Sequence, residues 1–170
     1  MVAMADDARA WYAGAMSAAL IDELYTAFAR KDAAAMGACY APDAHFSDPV
    51  FRDLRGAQVP AMWRMLCERG ADLVVTHGEV HADDGIGSAR WQATYTFSQT
   101  GRKVHNTIQA RFTFKDGKIA THVDNFSLWR WTRMALGMPG VLLGWSPMVQ
   151  NKVRAQAMKG LGLFMKRHRL

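Results

Sequence analysis

Three side chains have the types and spacings to do acid–base chemistry. Asp48 directly precedes Pro49, and the residue before a proline is pushed out of helical into extended geometry. Asp48 is therefore expected at a strand end. A carboxylate partly desolvated at a pocket floor is a stronger base than one in water. The alternative is an Asx turn, in which the side chain only satisfies nearby backbone. His122 and Asp124 lie two residues apart in a β-branched and aromatic run. Period two places them, with Phe126, on one face of a strand. A second carboxylate near Asp48 would drive the two pKa values apart, leaving one acid and one base. Asp124 could instead be held by His122 or Arg111 as a structural pair, and His122 could be a hydrogen-bonded core member.

The elements that must position these groups follow from periodicity. Residues 7–30 predict a helix, with Ala19, Leu20, Leu24 and Phe28 recurring at three-to-four spacing. Asp32 reads as the N-cap of a second helix over 33–40, which Pro42 stops from continuing. A short strand follows over 44–47. Gly56 precedes a third helix over 57–69, with Pro60 in its first turn and an apolar stripe of Met62, Trp63, Leu66 and Cys67. The pattern then changes period. Residues 73–77, 87–97, 104–114 and 119–128 predict strands. Gln99-Thr100-Gly101 and Lys115-Asp116-Gly117-Lys118 are the hairpin turns. Residues 137–140 and 144–147 read as turns, and 148 to the end as helix. Helices followed by a run of antiparallel strands indicate an α+β domain, its sheet packed on helices.

The string Tyr40-Ala-Pro-Asp-Ala-His-Phe-Ser-Asp-Pro49, with the hairpin Phe112-Thr-Phe-Lys-Asp-Gly-Lys-Ile119 and Thr121-His-Val-Asp-Asn-Phe126, resembles the ketosteroid-isomerase-like, SnoaL-like branch of the nuclear-transport-factor-2-like superfamily. The similarity spans about residues 15–130. It implies a cone-shaped curved sheet packed against three N-terminal helices, a hydrophobic pocket, homodimerisation and no cofactor. It also implies that Asp48 is the general base and that the face bearing His122 and Asp124 turns into the pocket. The family's oxyanion donors fall on Leu24 and Ala110, which cannot donate a hydrogen bond. Tyr25, Tyr95 or Asn106 would have to take over, with Trp63, Trp91, Tyr95 and Phe126 as lining. Epoxide hydrolysis is disfavoured, since the relevant strand, Ala89-Arg-Trp-Gln-Ala-Thr-Tyr95, carries no Asp after its Arg. Isomerase, cyclase or dehydratase chemistry on a small hydrophobic carbonyl compound is the enzymatic reading. A non-catalytic module that binds a hydrophobic ligand or a partner is the other.

Composition bounds the partners. The chain is 50% hydrophobic and 21% charged, with net charge +6, which is ordinary globular composition. Residues 1–124 hold 13 basic and 15 acidic side chains, and residues 125–170 hold eight basic and none acidic. The basic character thus belongs to an extension over 133–170, following a domain over 1–132. That extension is read as a covering helix or as contact with an anionic membrane surface. No nucleic-acid motif accompanies it. Cys39 and Cys67 sit in apolar surroundings as small buried hydrophobes. His45, His77, His81 and His105 have no ligand spacing, so no metal is expected. The acidic N-terminus lacks a signal-peptide pattern and no apolar run is long enough for a membrane span, so a cytoplasmic protein is expected.

Overall fold

The computed structural model describes residues 2–83 and 85–170, with side chains described from Tyr12 onward. Helix α1 spans Val2–Ala29, α2 Ala33–Ala38 and α3 Gln58–Arg69. Strands β1 Tyr40–Ser47, β2 Leu54–Arg55, β3 Val74–Asp83, β4 Ile86–Phe97, β5 Arg102–Lys115 and β6 Lys118–Asn125 form one sheet, in the order β2-β1-β6-β5-β4-β3. Three further helices close the chain: α4 Leu128–Leu136, α5 Met138–Leu143 and α6 Pro147–His168. The sheet is curved and open, and the architecture is α+β.

Helix α1 packs through Ile21, Leu24, Tyr25 and Phe28, all buried. Their spacing of three, one and three places them on one stripe. Burying side chains of this size contributes about 1.5–3 kcal/mol each. On the sheet the period is two. Ala89, Trp91 and Ala93 of β4 face inward with Asn106, Ile108, Ala110 and Phe112 of β5. Cross-strand register pairs Trp91 with Ile108, Ala93 with Asn106, and Ala110 with Asp124. The two cysteines are free and buried, and burial pushes each thiol up to about 11. They act as core, not as nucleophiles.

The structure departs from the sequence expectations at several places: β3 runs to Asp83 rather than 77, and neither β2 nor α4 is expected. The second helix ends at Ala38 rather than 40, and β1 already begins at Tyr40. Pro42 is tolerated inside β1 because pairing with β6 shifts register between Tyr40 and His45. The sheet is antiparallel except for one pair: β1 runs parallel to β6, with Ser47 beside Val123. The last strand ends at Asn125 rather than 128, because the Ser127 hydroxyl accepts from the Arg130 N–H and caps α4. Finally, a helix over 138–143 replaces the turn expected over 137–140. Gly140 and Gly144 lie where any Cβ would collide with Thr132. Their role is to let α5 settle onto α4, not to break a helix.

Residue 132 falls inside α4, and the basic segment is continuous with the rest of the molecule. Leu161 and Phe164 of α6 belong to the main core, and α6 packs on α3.

Candidate functional site

A cavity of about 300 Å³ opens on the inner face of the sheet, at the lower end of the usual range for small-molecule sites. Its exposed lining residues, Arg69, Ser98, Gln99 and Gln156, mark the mouth. Its buried ones, Phe46, Trp63, Trp91, Asn106 and Asp124, mark the floor. A larger depression of about 870 Å³ lies between α1 and the β3–β4 hairpin. It is more open to solvent and lacks Asp48 and Asp124, so the smaller, deeper cavity is the candidate site.

Asp48 stands one residue beyond β1 and Asp124 one residue beyond Val123. Because Ser47 is registered with Val123 in the parallel pair, the two carboxylates come side by side at the cavity floor. Asp48 does form an Asx turn. Its Oδ1 accepts the Val50 and Phe51 N–H groups at 2.6 and 2.5 Å, while Oδ2 has no protein hydrogen bond among the described residues. One oxygen anchors the side chain and the other is left for the cavity. Burial pushes the Asp48 carboxyl up to about 7, opposed by the Phe51 and Val50 N–H groups and aided by the charge of Asp124.

Asp124 is held from behind. Its Oδ1 accepts from the Trp91 indole N–H at 3.1 Å and lies 2.9 Å from His122 Nε2. His122 Nδ1 lies 2.7 Å from the Tyr40 hydroxyl, which accepts from the Trp63 indole N–H at 2.9 Å. One arrangement of protons that satisfies this chain has Trp63 donate to Tyr40, Tyr40 to His122 Nδ1, and His122 Nε2–H to Asp124. The Trp91 and His122 donors then converge on Asp124 Oδ1. Burial also raises the Tyr40 hydroxyl well above its ordinary pKa, which keeps it a donor.

Two cavity groups keep free hydrogen-bonding capacity. The Tyr95 hydroxyl accepts from the Trp131 indole N–H at 2.7 Å, so its own proton is free to point at a ligand. Burial raises its pKa, which keeps that proton in place. The Asn106 amide, 8% exposed, makes no protein hydrogen bond among the described residues.

Of the nine site residues expected from sequence, Asp48, Asp124, Trp63, Trp91, Tyr95, Asn106 and Phe126 line the cavity. His122 and Tyr25 do not. His122 is fully buried behind Asp124, and the Tyr25 hydroxyl lies 3.4 Å from its Nε2. Both are placed to position Asp124, not to touch a ligand. Leu24 and Ala110 are buried and provide no donor. Sequence reasoning misses Tyr40 and Trp131. The local pattern puts Tyr40 on a helix, and its strand position follows only from the irregular β1 pairing. Trp131 is legible in principle, since Leu128, Trp131 and Ala135 repeat at helical spacing behind a Ser N-cap. No group of three or more His, Cys, Asp or Glu side chains among the described residues could hold a metal ion.

Comparison with protein families matches the SnoaL-like domain over residues 21–122. Comparison with curated proteins finds no match. Among solved structures, similar folds include an epoxide hydrolase of the limonene-epoxide-hydrolase-like type from Mycobacterium tuberculosis. That protein is 15% identical, with a TM-score of 0.61, covering 76% of this chain and 94% of its own. A protein of ketosteroid isomerase-like fold from Catenulispora acidiphila, in complex with trimethylamine, is 14% identical. Its TM-score is 0.63, with 75% and 97% covered. A candidate polyketide cyclase from Streptomyces antibioticus is 21% identical, with a TM-score of 0.58 and 70% and 96% covered. At these identities the structural likeness speaks for the fold.

Proposed function

The chain belongs to the SnoaL-like domain family, and we propose that its cavity catalyses cofactor-independent proton transfer on a small hydrophobic carbonyl compound. The observation that carries this reading is the pairing of Asp48 with Asp124 at the floor of an apolar, aromatic-lined cavity. Asp48 Oδ2 takes a proton from the carbon next to the carbonyl. The C–H electron pair moves into an enolate, and the proton returns from Asp48 to another carbon or to oxygen. A base with a pKa of about 7 is matched to neutral pH. Tyr95 and Asn106 are the groups free to donate to the enolate oxygen, in place of the donors absent at Leu24 and Ala110. Burial keeps Asp48 basic, with the charge of Asp124 adding to it, while His122 and Trp91 hold the Asp124 carboxyl in place, His122 itself being held by Tyr40.

The test is a panel of β,γ-unsaturated ketones, followed by the ultraviolet absorbance of the conjugated enone. Wild type should convert at least one. Asp48→Asn should lose about 100-fold or more in kcat, and Tyr95→Phe about 10- to 100-fold with the fold intact. Tight binding of panel members by both wild type and Asp48→Asn, with no turnover by either, would leave the non-catalytic hydrophobic-ligand module as the reading.

A further inference from the structure

Helix α5 and the residues that follow it present an apolar surface that the protein itself does not cover. Met138, Leu142, Trp145 and Met148 are 67%, 61%, 62% and 73% exposed. Met138 and Leu142 share a face of α5 at four-residue spacing. Trp145 is fixed beside them, its indole N–H donating to the Leu142 carbonyl at 2.9 Å. Val141 and Leu143 add further exposed apolar area. Monomeric proteins rarely leave contiguous apolar patches of this kind uncovered.

The charge of the segment that bears the patch is of one sign. Residues 125–170 carry eight Lys and Arg and no acid. Arg133 lies over the ring of Trp129 on α4, 5.3 Å from its centroid, and Lys152 follows Met148 by one helical turn. Arg130, Arg133 and Lys152 are exposed and form no ion pair among the described residues. Exposed Trp, Leu and Met, flanked along the segment 125–170 by cations and by no acid, complement an anionic lipid headgroup layer over its acyl boundary. A protein partner would more often be met by both signs of charge.

The patch also adjoins the cavity mouth. Gln99 lines the mouth, and the next residue, Thr100, donates to the Ala135 carbonyl at 2.6 Å. Arg102 donates to the Met134 carbonyl at 2.9 Å. These bonds tie the β4–β5 turn to the end of α4, immediately before α5. Val153 and Ala157 of α6 line the same cavity.

We propose that α5 and its flanks dock on an anionic lipid bilayer and bring the cavity mouth to the membrane, from which a membrane-partitioned hydrophobic ligand enters. The docking is independent of the chemistry at Asp48, so either reading can fail without the other.

The test uses the full chain, because α6 is part of the core. Vesicles of phosphatidylcholine alone, or with about 30% phosphatidylglycerol, are floated with protein at low and high salt. Wild type should float with the anionic vesicles, less so with phosphatidylcholine alone and less at about 0.5 M NaCl. Leu142→Asp/Trp145→Asp should lower partitioning about tenfold or more, with the thermal transition retained. Met138→Asp/Met148→Asp should do the same, and Ile86→Asp, an equally exposed apolar site on β4, should not. Wild type left unbound by anionic vesicles would overturn the proposal, as would double variants that bind equally well. So would a wild-type dimer that the double variants split without any vesicle binding, since the patch would then be covered by a second copy.

Discussion

At the scale of single residues, Asp48 combines a structural and a chemical role that the sequence presents as alternatives. Its Asx turn uses one carboxylate oxygen and leaves the second for the cavity. The raised pKa has a consequence for folding. Unfolded, the carboxyl titrates near 3.8, and folded near 7. The folded state therefore binds more protons across that window, and stability is lost as pH rises from about 4 to about 7. The size of the effect is on the order of 2–4 kcal/mol. The amide of an Asp48→Asn variant would keep an oxygen for the two N–H groups but would not titrate. Thermal unfolding of wild type should thus move to lower temperature between pH 5 and pH 8, and Asp48→Asn should show a clearly smaller change. Parallel pH dependences would place the Asp48 pKa at its ordinary value.

At the scale of elements, the two carboxylates meet because β1 runs parallel to β6. Composition and period located β4, β5 and β6 and parts of β1 and β3, but not β2, and not the relative direction of the strands, which depends on the path of the chain over the α3 layer. Asp48 was therefore legible as a strand-end carboxylate and Asp124 as an inward one, while their adjacency was not. The three N-terminal helices and the two hairpins were legible because each had a local signal: an apolar stripe, a proline, or a turn with Gly at positive φ. Helix α5 was not. Its glycines have the appearance of turn residues, whereas physically they are contact residues against Thr132. Gly140→Leu should accordingly destabilise the protein by more than about 2 kcal/mol, since the new side chain meets backbone that cannot yield. Urea unfolding measures it, and a change within about 0.5 kcal/mol would mean that α5 does not depend on this close seat.

At the scale of the whole molecule, the basic C-terminal segment is a wall of the cavity as much as an extension. Val153, Gln156 and Ala157 of α6 line it, and the Arg154 guanidinium donates to the Pro49 carbonyl at 2.9 Å, next to the Asp48 turn. Trp131 of α4 holds Tyr95. The charge asymmetry seen in the sequence thus separates two surfaces of one packed body: a near-neutral sheet and helix layer, and a cationic cap that borders the mouth. No helix among the described residues is long and apolar enough to cross a membrane. The apolar residues Met138 and Leu142 of α5 are exposed on that cap.

The central claim, that Asp48 is a base poised near neutrality by burial and by Asp124, is tested most directly by carbon NMR. The protein would be labelled at its aspartate side-chain carboxyls, and Asp48 assigned by the signal missing from Asp48→Asn. A titration midpoint of about 7, falling towards the ordinary carboxylate range in Asp124→Asn, is the predicted result. A midpoint near 4 that Asp124→Asn leaves unmoved would contradict the account and reduce Asp48 to a turn residue.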